Sequence, residues 1–296
     1  MNPDTRLDAP TGPAQAIRPA PDPLADESTA LLQGALAEAW PAAPAPASLR
    51  ERLAQRASHS ARRIGAMVNV RQRERVQVER AEGASVYRIY RRDDAAPIRP
   101  GEPWQVRVIE LRPGATWAVQ PGEAHVGRDW LLVRGAAQLH SDAEGPVPLG
   151  PLDYHVQGAG PSLEAARLQA GDAGATVMLR ERALGEAGSA SAESSTARDT
   201  PEAWEDYAPL IKRRVLWQEG PMAAMLWLAS PGATVPHHQH GHDEECLMLK
   251  GDLFQDDYLL REGDYQLAPS GSAHETVNTD TGALIYAHGD LDMRLV

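Results

Sequence analysis

Histidine is concentrated in the C-terminal quarter of this chain, where His238-Gln-His240 is followed by Glu244. On a β-strand, residues two apart point to the same face, so His238 and His240 would present their imidazoles to one side. Sets of imidazoles and carboxylates bind Zn, Mn, Fe, Ni or Cu without choosing sharply among them. The chain has one cysteine, Cys246, so a metal site must be built from histidines and carboxylates.

This cluster lies within two motifs that follow one another along the chain and that each begin with a glycine. Gly232 to Gly251 has the form G(x)5HxH(x)3E(x)6G, and Gly263 to Asn278 has the form G(x)5PxG(x)2H(x)3N. His274 is the histidine of the second motif, and it would reach the site from the opposite side of a barrel. A chance HxH means little, but two complete motifs in order favour a metal site.

Both motifs match the signature of the cupin superfamily at every specified position, so the sequence resembles the cupins. The runs Pro236–Gly251 and Glu262–His274 are most similar to the cupin domain of ChrR-type anti-sigma factors. The same cupin type occurs in small dioxygenases that resemble the acetylacetone-cleaving enzyme. The resemblance implies one divalent transition metal per chain. Zinc is the expected metal, and iron, manganese and nickel are the alternatives. The implied metal ligands are His238, His240, Glu244 and His274.

Neighbouring residues offer competing interpretations. Glu245 is the nearest rival to Glu244, although the interval to Gly251 favours Glu244. Cys246 shares the inward face with Glu244 and is expected to be a small buried hydrophobe. The flanking imidazoles His237 and His242 are expected to be exposed or to lie behind the ligands. The candidates for an acid or base near the metal are Tyr265, Tyr286 and His288.

Short alternating segments separated by Gly, Pro and Asp turns predict an all-β chain. Three segments also recur in the same order, which indicates a duplicated barrel. Val108–Thr116 aligns with Leu226–Thr234, Trp130–Gly135 with Cys246–Gly251, and Leu152–Tyr154 with Gly263–Tyr265. The expected fold is therefore two cupin barrels, each a jelly roll or double-stranded β-helix, after a short helical and partly disordered N-terminal segment.

Composition breaks predict the boundaries of four regions. Residues 1–64 form the N-terminal segment, with helices at Glu27–Trp40 and from Ser48 to about Ala61. Residues 65–184 form a first barrel, 185–203 a linker, and 204–296 the metal-binding barrel.

The first barrel lacks a ligand set. Gln120-Pro-Gly122 replaces the paired histidines, Arg128 or a neighbour replaces the glutamate, and Pro161 or Leu163 replaces the last histidine. This copy is expected to be a structural or dimerisation lobe, so a homodimer is a further expectation.

Composition narrows the function classes. The net charge is -12 and the pI is about 5.3, which argues against a nucleic-acid partner. No apolar run reaches the length of about 18 residues that predicts a membrane span. A single cysteine excludes an internal disulfide framework and predicts a cytoplasmic protein.

The resemblance implies two functions. The first is a ChrR-like regulatory or sensor protein, with a sigma-factor-like protein or a small molecule as its partner. ChrR-type proteins hold the sigma factor with an N-terminal zinc domain whose ligands include cysteines, but this chain has no cysteine before position 246. The alternative is a metal-dependent dioxygenase that acts on a small organic molecule such as a diketone.

Overall fold

The computed structural model describes residues 47–92, 102–119, 126–141, 145–157, 165–183 and 194–295. Residues 56–296 form one compact unit, which contains the three sheets described below. Residues 1–55 form a second unit, of which positions 47–55 are described. The helix expected at Glu27–Trp40 lies outside the described residues.

The first described elements are helix α1 (Ala47–Ala66) and strand β1 (Val68–Val70). The helix covers the second expected helix and extends five residues past Ala61. Nine strands, which we call the N-terminal barrel, follow: β2 (Val76–Ala81), β3 (Ala84–Arg91), β4 (Pro103–Leu111), β5 (Thr116–Val119), β6 (Val126–Ser141), β7 (Val147–Leu149), β8 (Tyr154–Gln157), β9 (Ala166–Ala183) and β10 (Ser195–Ala197).

The C-terminal barrel consists of twelve later strands together with β1. These strands are β11 (Glu205–Ala208), β12 (Ile211–Glu219), β13 (Met222–Ala229), β14 (Thr234–Val235), β15 (His238–Gln239), β16 (Glu244–Gln255), β17 (Tyr258–Arg261), β18 (Tyr265–Ala268), β19 (Ala273–His274), β20 (Val277–Asn278), β21 (Ala283–Asp290) and β22 (Arg294–Leu295). Short 3-10 turns at Gln72–Glu74 and Pro201–Ala203 complete the described elements.

Both barrels are built from antiparallel strands, as expected for jelly rolls. The main sheet of the N-terminal barrel has the order β10-β8-β6-β9-β4-β3-β2, and that of the C-terminal barrel has the order β1-β18-β16-β21-β13-β12-β11. Within the described residues, neither path returns to its first strand, so the sheets are not closed by hydrogen bonding. A small third sheet, β19-β15-β22, carries part of the histidine cluster.

Apolar side chains form three buried clusters. One fills the N-terminal barrel around Trp130 and Leu132, and another fills the C-terminal barrel around Met225 and Met248. The third combines residues of both barrels, for example Tyr154 stacked on Tyr286 with ring centroids 6.0 Å apart. Because this cluster is shared, the barrels pack face to face through one apolar interface.

Equivalent glycines support the internal repeat. Gly135 and Gly251 have φ values of 84° and 82°. A Cβ at Gly135 would lie 2.1 Å from the carbonyl oxygen of Gly174, and a Cβ at Gly251 would lie 2.0 Å from that of Gly282. Both positions therefore require glycine, for its left-handed backbone and for the same close approach of two strands.

Two strands are exchanged between the barrels. Strand β1 pairs with β18 of the C-terminal barrel, with Val70 opposite Tyr265. Strand β10 pairs with β8 of the N-terminal barrel, with Ala197 opposite Tyr154. Strand pairing thus differs from the expected boundaries, because the start of region 65–184 adds to the second barrel and the expected linker 185–203 contributes a strand to the first.

A buried ionic cluster joins the two barrels at their shared face. The Arg180 guanidinium donates to Glu245 at 2.5 Å and to Asp129 at 3.1 Å, and both pairs are almost fully buried. Tyr265 also donates its hydroxyl to Glu245 at 2.9 Å. The N-terminal barrel therefore contacts the strand that begins with Glu244. In the described part of the chain, no helix is both long and apolar enough to span a membrane.

Candidate metal centre

Three imidazoles meet at the small sheet of the C-terminal barrel. His238 on β15 is paired with His274 on the adjacent antiparallel strand β19, so His274 comes from a neighbouring strand and not from the opposite side of the barrel as expected. His240 directly follows β15. The ring centroids are 5.3 Å apart for His238 and His240, 5.5 Å for His238 and His274, and 4.9 Å for His240 and His274. All three side chains are buried. The two sequence motifs therefore place their histidines in one compact group.

Glu244 completes the group from the first position of β16. Its Oε1 lies 3.6 Å from Nε2 of His240, and ligand atoms of His238, His240 and Glu244 all lie within 4.8 Å of one another. These three side chains could hold one metal ion. The ring of His274 lies beside them, but His274 is outside this set of closely spaced ligand atoms. Gly289 makes room for the carboxylate, since a Cβ there would approach Cγ of Glu244 to 3.1 Å.

A short hydrogen-bond chain orients His240. The Ser272 hydroxyl donates to the carbonyl of Pro269 at 2.5 Å. Its oxygen is then free to accept from Nδ1–H of His240, at 2.9 Å. This arrangement leaves the lone pair of His240 on Nε2.

The other two imidazoles are held in the same tautomer. Nδ1 of His238 lies 3.0 Å from the carbonyl of Pro236, and Nδ1 of His274 lies 3.4 Å from Oδ2 of Asp256. Carbonyls and carboxylates accept only, so each Nδ1 carries the proton and each Nε2 keeps its lone pair. The backbone N–H groups of Glu275 and Thr276 hold the Asp256 carboxylate in place.

The free nitrogen atoms test whether the site fits a metal. Among the described residues, Nε2 of His240 and Nε2 of His274 are buried and have no hydrogen-bond partner. A buried polar atom without a partner costs free energy, and such atoms are rare in native proteins. Metal-bound histidines commonly donate their other ring nitrogen to an oxygen acceptor, as all three do here. The donor set therefore fits a transition metal.

The turn between His240 and Glu244 is fixed from three directions. Asp290 accepts from the backbone N–H of Gly241 and contacts Nδ1 of His242, both at 2.5 Å. Asp243 accepts from the backbone of Ser270 at 2.8 Å. It also pairs with a guanidinium of the N-terminal barrel, that of Arg92, at 2.9 Å. Because the turn is pinned, the spacing between the imidazoles and the carboxylate is set before any ligand arrives.

Burial lowers the pKa of His240, and the nearby imidazoles lower it further, while Glu244 acts in the opposite direction. The neutral, metal-binding form of His240 therefore persists to lower pH than in a solvent-exposed histidine.

An apolar cavity opens beside the cluster. It is small, about 70 Å³, and opens to solvent, and His238 and Glu244 form part of its wall. Cys246 also lines it, as expected from its place on the inward face. Burial raises the pKa of the Cys246 thiol, so the side chain stays neutral and behaves as a small apolar group.

Other sequence candidates lie away from the cluster. Glu245 points to the interface between the barrels, where it pairs with Arg180. Tyr265 and Tyr286 belong to the interface cluster, and His288 stacks on Trp217 with centroids 5.8 Å apart. None of the three aromatic candidates lines the cavity described above.

The remaining expectations concern the flanking imidazoles and the first barrel. His242 is partly buried against Asp290, and the partly buried His237 is not in the metal-binding group. Arg128, at the position equivalent to Glu244, is buried and paired with Glu181 at 3.4 Å. The replacements at Gln120–Gly122, Pro161 and Leu163 lie outside the described residues.

Several residues that build the site were missed by sequence reasoning. Ser272 and Asp256 orient imidazoles, Gly289 gives room to Glu244, and Gln255 lines the cavity. Ser272 lies two residues before His274, so its position in the second motif could have suggested it. Asp256 begins an Asp-Asp pair between two mostly apolar segments, and such a pair in the sequence indicates a turn.

Comparison with protein families gives a match that covers most of the C-terminal barrel. Residues 193–292 match the family model of the ChrR cupin-like domain. No curated protein sequence matches the chain.

Several solved structures share the fold at low sequence identity. A putative glyoxylate-induced protein from Pseudomonas aeruginosa has a TM-score of 0.60 at 12% identity, covering 78% of this chain and 91% of that chain. Oxalate decarboxylase from Bacillus subtilis, with Mn(II) centres, has a TM-score of 0.55 at 14% identity, covering 75% and 76%. A putative dioxygenase from Nostoc punctiforme has a TM-score of 0.53 at 16% identity, covering 76% and 83%. The chain is therefore a two-barrel protein of the cupin fold, and its C-terminal barrel matches the ChrR cupin-like domain.

Proposed function

We propose that the C-terminal barrel binds one divalent transition metal through His238, His240, Glu244 and His274, and that the chain acts as a ChrR-like regulatory protein. The observation that carries the metal site is the set of buried imidazoles whose Nδ1 atoms are all bonded to oxygen acceptors. The match of residues 193–292 to the ChrR cupin-like domain supports the regulatory role.

The chemistry of the site follows from its shape. A metal held by four side chains keeps one or two positions for a ligand and supplies a Lewis acid or redox centre there. The pinned turn and the oriented imidazoles hold the donors in place, and the wall on the ligand side is mostly apolar. In a sensor, zinc is the metal expected, and a small ligand in the cavity would alter the barrel surface that a protein partner contacts.

The cavity beside the cluster favours a second candidate, a metal-dependent dioxygenase. A dioxygenase needs its organic substrate beside the metal, and the apolar wall next to His238 and Glu244 is the surface that such a substrate would contact. The substrate would be a small organic molecule such as a diketone, and the metal would be iron.

Metal analysis of anaerobically purified full-length protein, followed by oxygen consumption, separates the two candidates. If the chain is a regulatory protein, we expect zinc as the native metal. The iron-substituted protein should then take up no oxygen when small diketones are added. Iron as the native metal, together with diketone-dependent oxygen uptake that His240→Ala abolishes, would establish the dioxygenase instead. His237→Ala serves as the matched control, since the partly buried His237 is adjacent to His238 in the chain but is not one of the four proposed ligands.

A further inference from the structure

We infer that the cavity of the C-terminal barrel binds the apolar body of a small, singly charged anion whose charged group faces the metal site. This inference rests on the proposed metal site. The cavity wall is mostly apolar and comes from several strands of the jelly roll, with Ile211, Trp227, Leu253, Val277 and Ile285 among its residues. A ligand that reaches the cluster must therefore bury its own body against hydrocarbon and indole surfaces.

The charges around the cavity set the charge of the ligand. None of the described residues that line it is a lysine or arginine, and Glu244 contributes the only carboxylate. Within the cavity wall, a divalent ion with one glutamate leaves one positive charge, which a monoanion neutralises. The Asp256 carboxylate behind His274 adds negative charge and further disfavours a second charge on the ligand. A dianion would leave a net negative charge in an apolar cavity without a cation in the described wall, and buried unpaired charge is costly. The site should therefore discriminate against small dianions.

Gln255 is the polar residue that should control what the body of the ligand can be. It is 5% exposed and lines the cavity, and its Oε1 is buried without a hydrogen-bond partner. This uncharged amide is tolerated beside an apolar body, but a carboxylate at the same place would repel an anionic ligand. Gln255 is therefore a selectivity residue for the ligand, distinct from the metal ligands.

Calorimetric titration of the Co(II)-loaded full chain tests the inference with three chelators. Acetohydroxamate and hexanohydroxamate present the same singly charged oxygen pair, and hexanohydroxamate adds four methylenes. Each buried methylene should tighten binding by about fourfold, so hexanohydroxamate should bind at least about tenfold more tightly. Oxalate, a doubly charged oxygen chelator, should bind at least about tenfold more weakly than hexanohydroxamate. Equal affinity of the two hydroxamates, or tightest binding by oxalate, would overturn the inference.

Two variants locate the effect in the cavity. Gln255→Glu should weaken hexanohydroxamate at least about tenfold, and Gln255→Met should bind it as tightly as the natural chain or more tightly. Gln218→Glu changes the net charge equally on an exposed strand position and should have no effect. Cobalt content and the visible cobalt bands are recorded first for every variant. Failure of the natural chain to bind cobalt would overturn the proposed function together with this inference. Normal cobalt binding, with the same hexanohydroxamate affinity in all three variants, would overturn this inference alone.

Discussion

At the scale of single residues, the site depends on groups that never touch the metal position. Ser272 accepts from His240 only because its own proton goes to Pro269. We expect Ser272→Ala to weaken metal binding by about 10–100-fold, the usual effect of losing such an orienting group. Competition with a metal chelator measures this change. Ser230→Ala, an exposed serine before the Pro-Gly turn, is the control, and equal affinities in the two variants would contradict the role of Ser272.

Acid should destabilise the metal-free protein through buried histidines. Burial lowers the pKa of His155 from 6.5 to about 4, and the charge of Arg198 adds to the effect. Between these values the unfolded chain binds a proton that the folded chain does not, so the free energy of unfolding falls as pH falls from about 6.5 to 4. This residue accounts for up to about 3 kcal/mol at pH 4, from about 1.4 kcal/mol per pKa unit.

His155→Gln should therefore flatten the decline in stability over that pH range. Urea unfolding of chelator-treated protein at several pH values measures it, with His59→Gln on the exposed helix α1 as the control. An unchanged pH dependence in His155→Gln would show that this imidazole does not stay neutral in the folded state.

The sequence predicted much of the site at this scale. Strand periodicity and two glycine-anchored motifs singled out the residues that the structure brings together, because a ligand set on short strands leaves a local pattern. Gln255 and Arg180 left no comparable signal. Their roles depend on strands that meet only after folding, and the sequence pattern around each is that of an ordinary β-strand.

At the scale of elements, strands β9 and β16 are tied together by the buried Arg180–Glu245 pair. Arg180→Leu should destabilise the protein by about 3–5 kcal/mol, because it leaves the Glu245 and Asp129 carboxylates buried without this partner. Denaturant unfolding measures the loss.

A surface pair between the same two barrels provides the control for Arg180. Arg134 and Glu262 lie 3.0 Å apart, with side chains 75% and 52% exposed, so Arg134→Leu should cost no more than about 1 kcal/mol. Similar losses in the two variants would mean that the buried cluster is not a specific link between the barrels.

The exchange of β1 and β10 could not be predicted from the sequence. Each strand has three residues, too few to show a period, and each pairs with a strand far away along the chain. The arginine that follows each exchanged strand forms an ion pair with a turn of the barrel that the strand joins. Arg71 binds Asp264 at 2.7 Å, and Arg198 binds Asp153 at 2.8 Å, so each exchanged segment fixes an equivalent turn of the other barrel.

At the scale of the whole molecule, the exchange decides which pieces can fold. A chain starting at Gly65 keeps β1 and should retain its metal and thermal stability, since helix α1 is largely exposed. Arg56 of this helix lies 3.9 Å from Asp257, but both side chains are exposed, so this ion pair contributes little to the free energy of unfolding. A fragment of residues 204–296 lacks β1 and Arg180, so it should unfold at lower temperature or aggregate.

Thermal unfolding and metal analysis of the two truncated chains test this division. Full stability in the fragment of residues 204–296 would mean that the barrels are independent. Loss of metal in the chain starting at Gly65 would mean that the N-terminal segment helps to build the second barrel.

The most direct test of the central claim is the metal stoichiometry of the purified full-length chain and its His240→Ala variant. We expect one tightly held transition-metal ion per natural chain, because the group of side chains that could hold a metal, among the described residues, lies in the C-terminal barrel. We expect loss of that ion in His240→Ala and its retention in His237→Ala. Two ions per natural chain, or a full complement in His240→Ala, would contradict the proposed metal site.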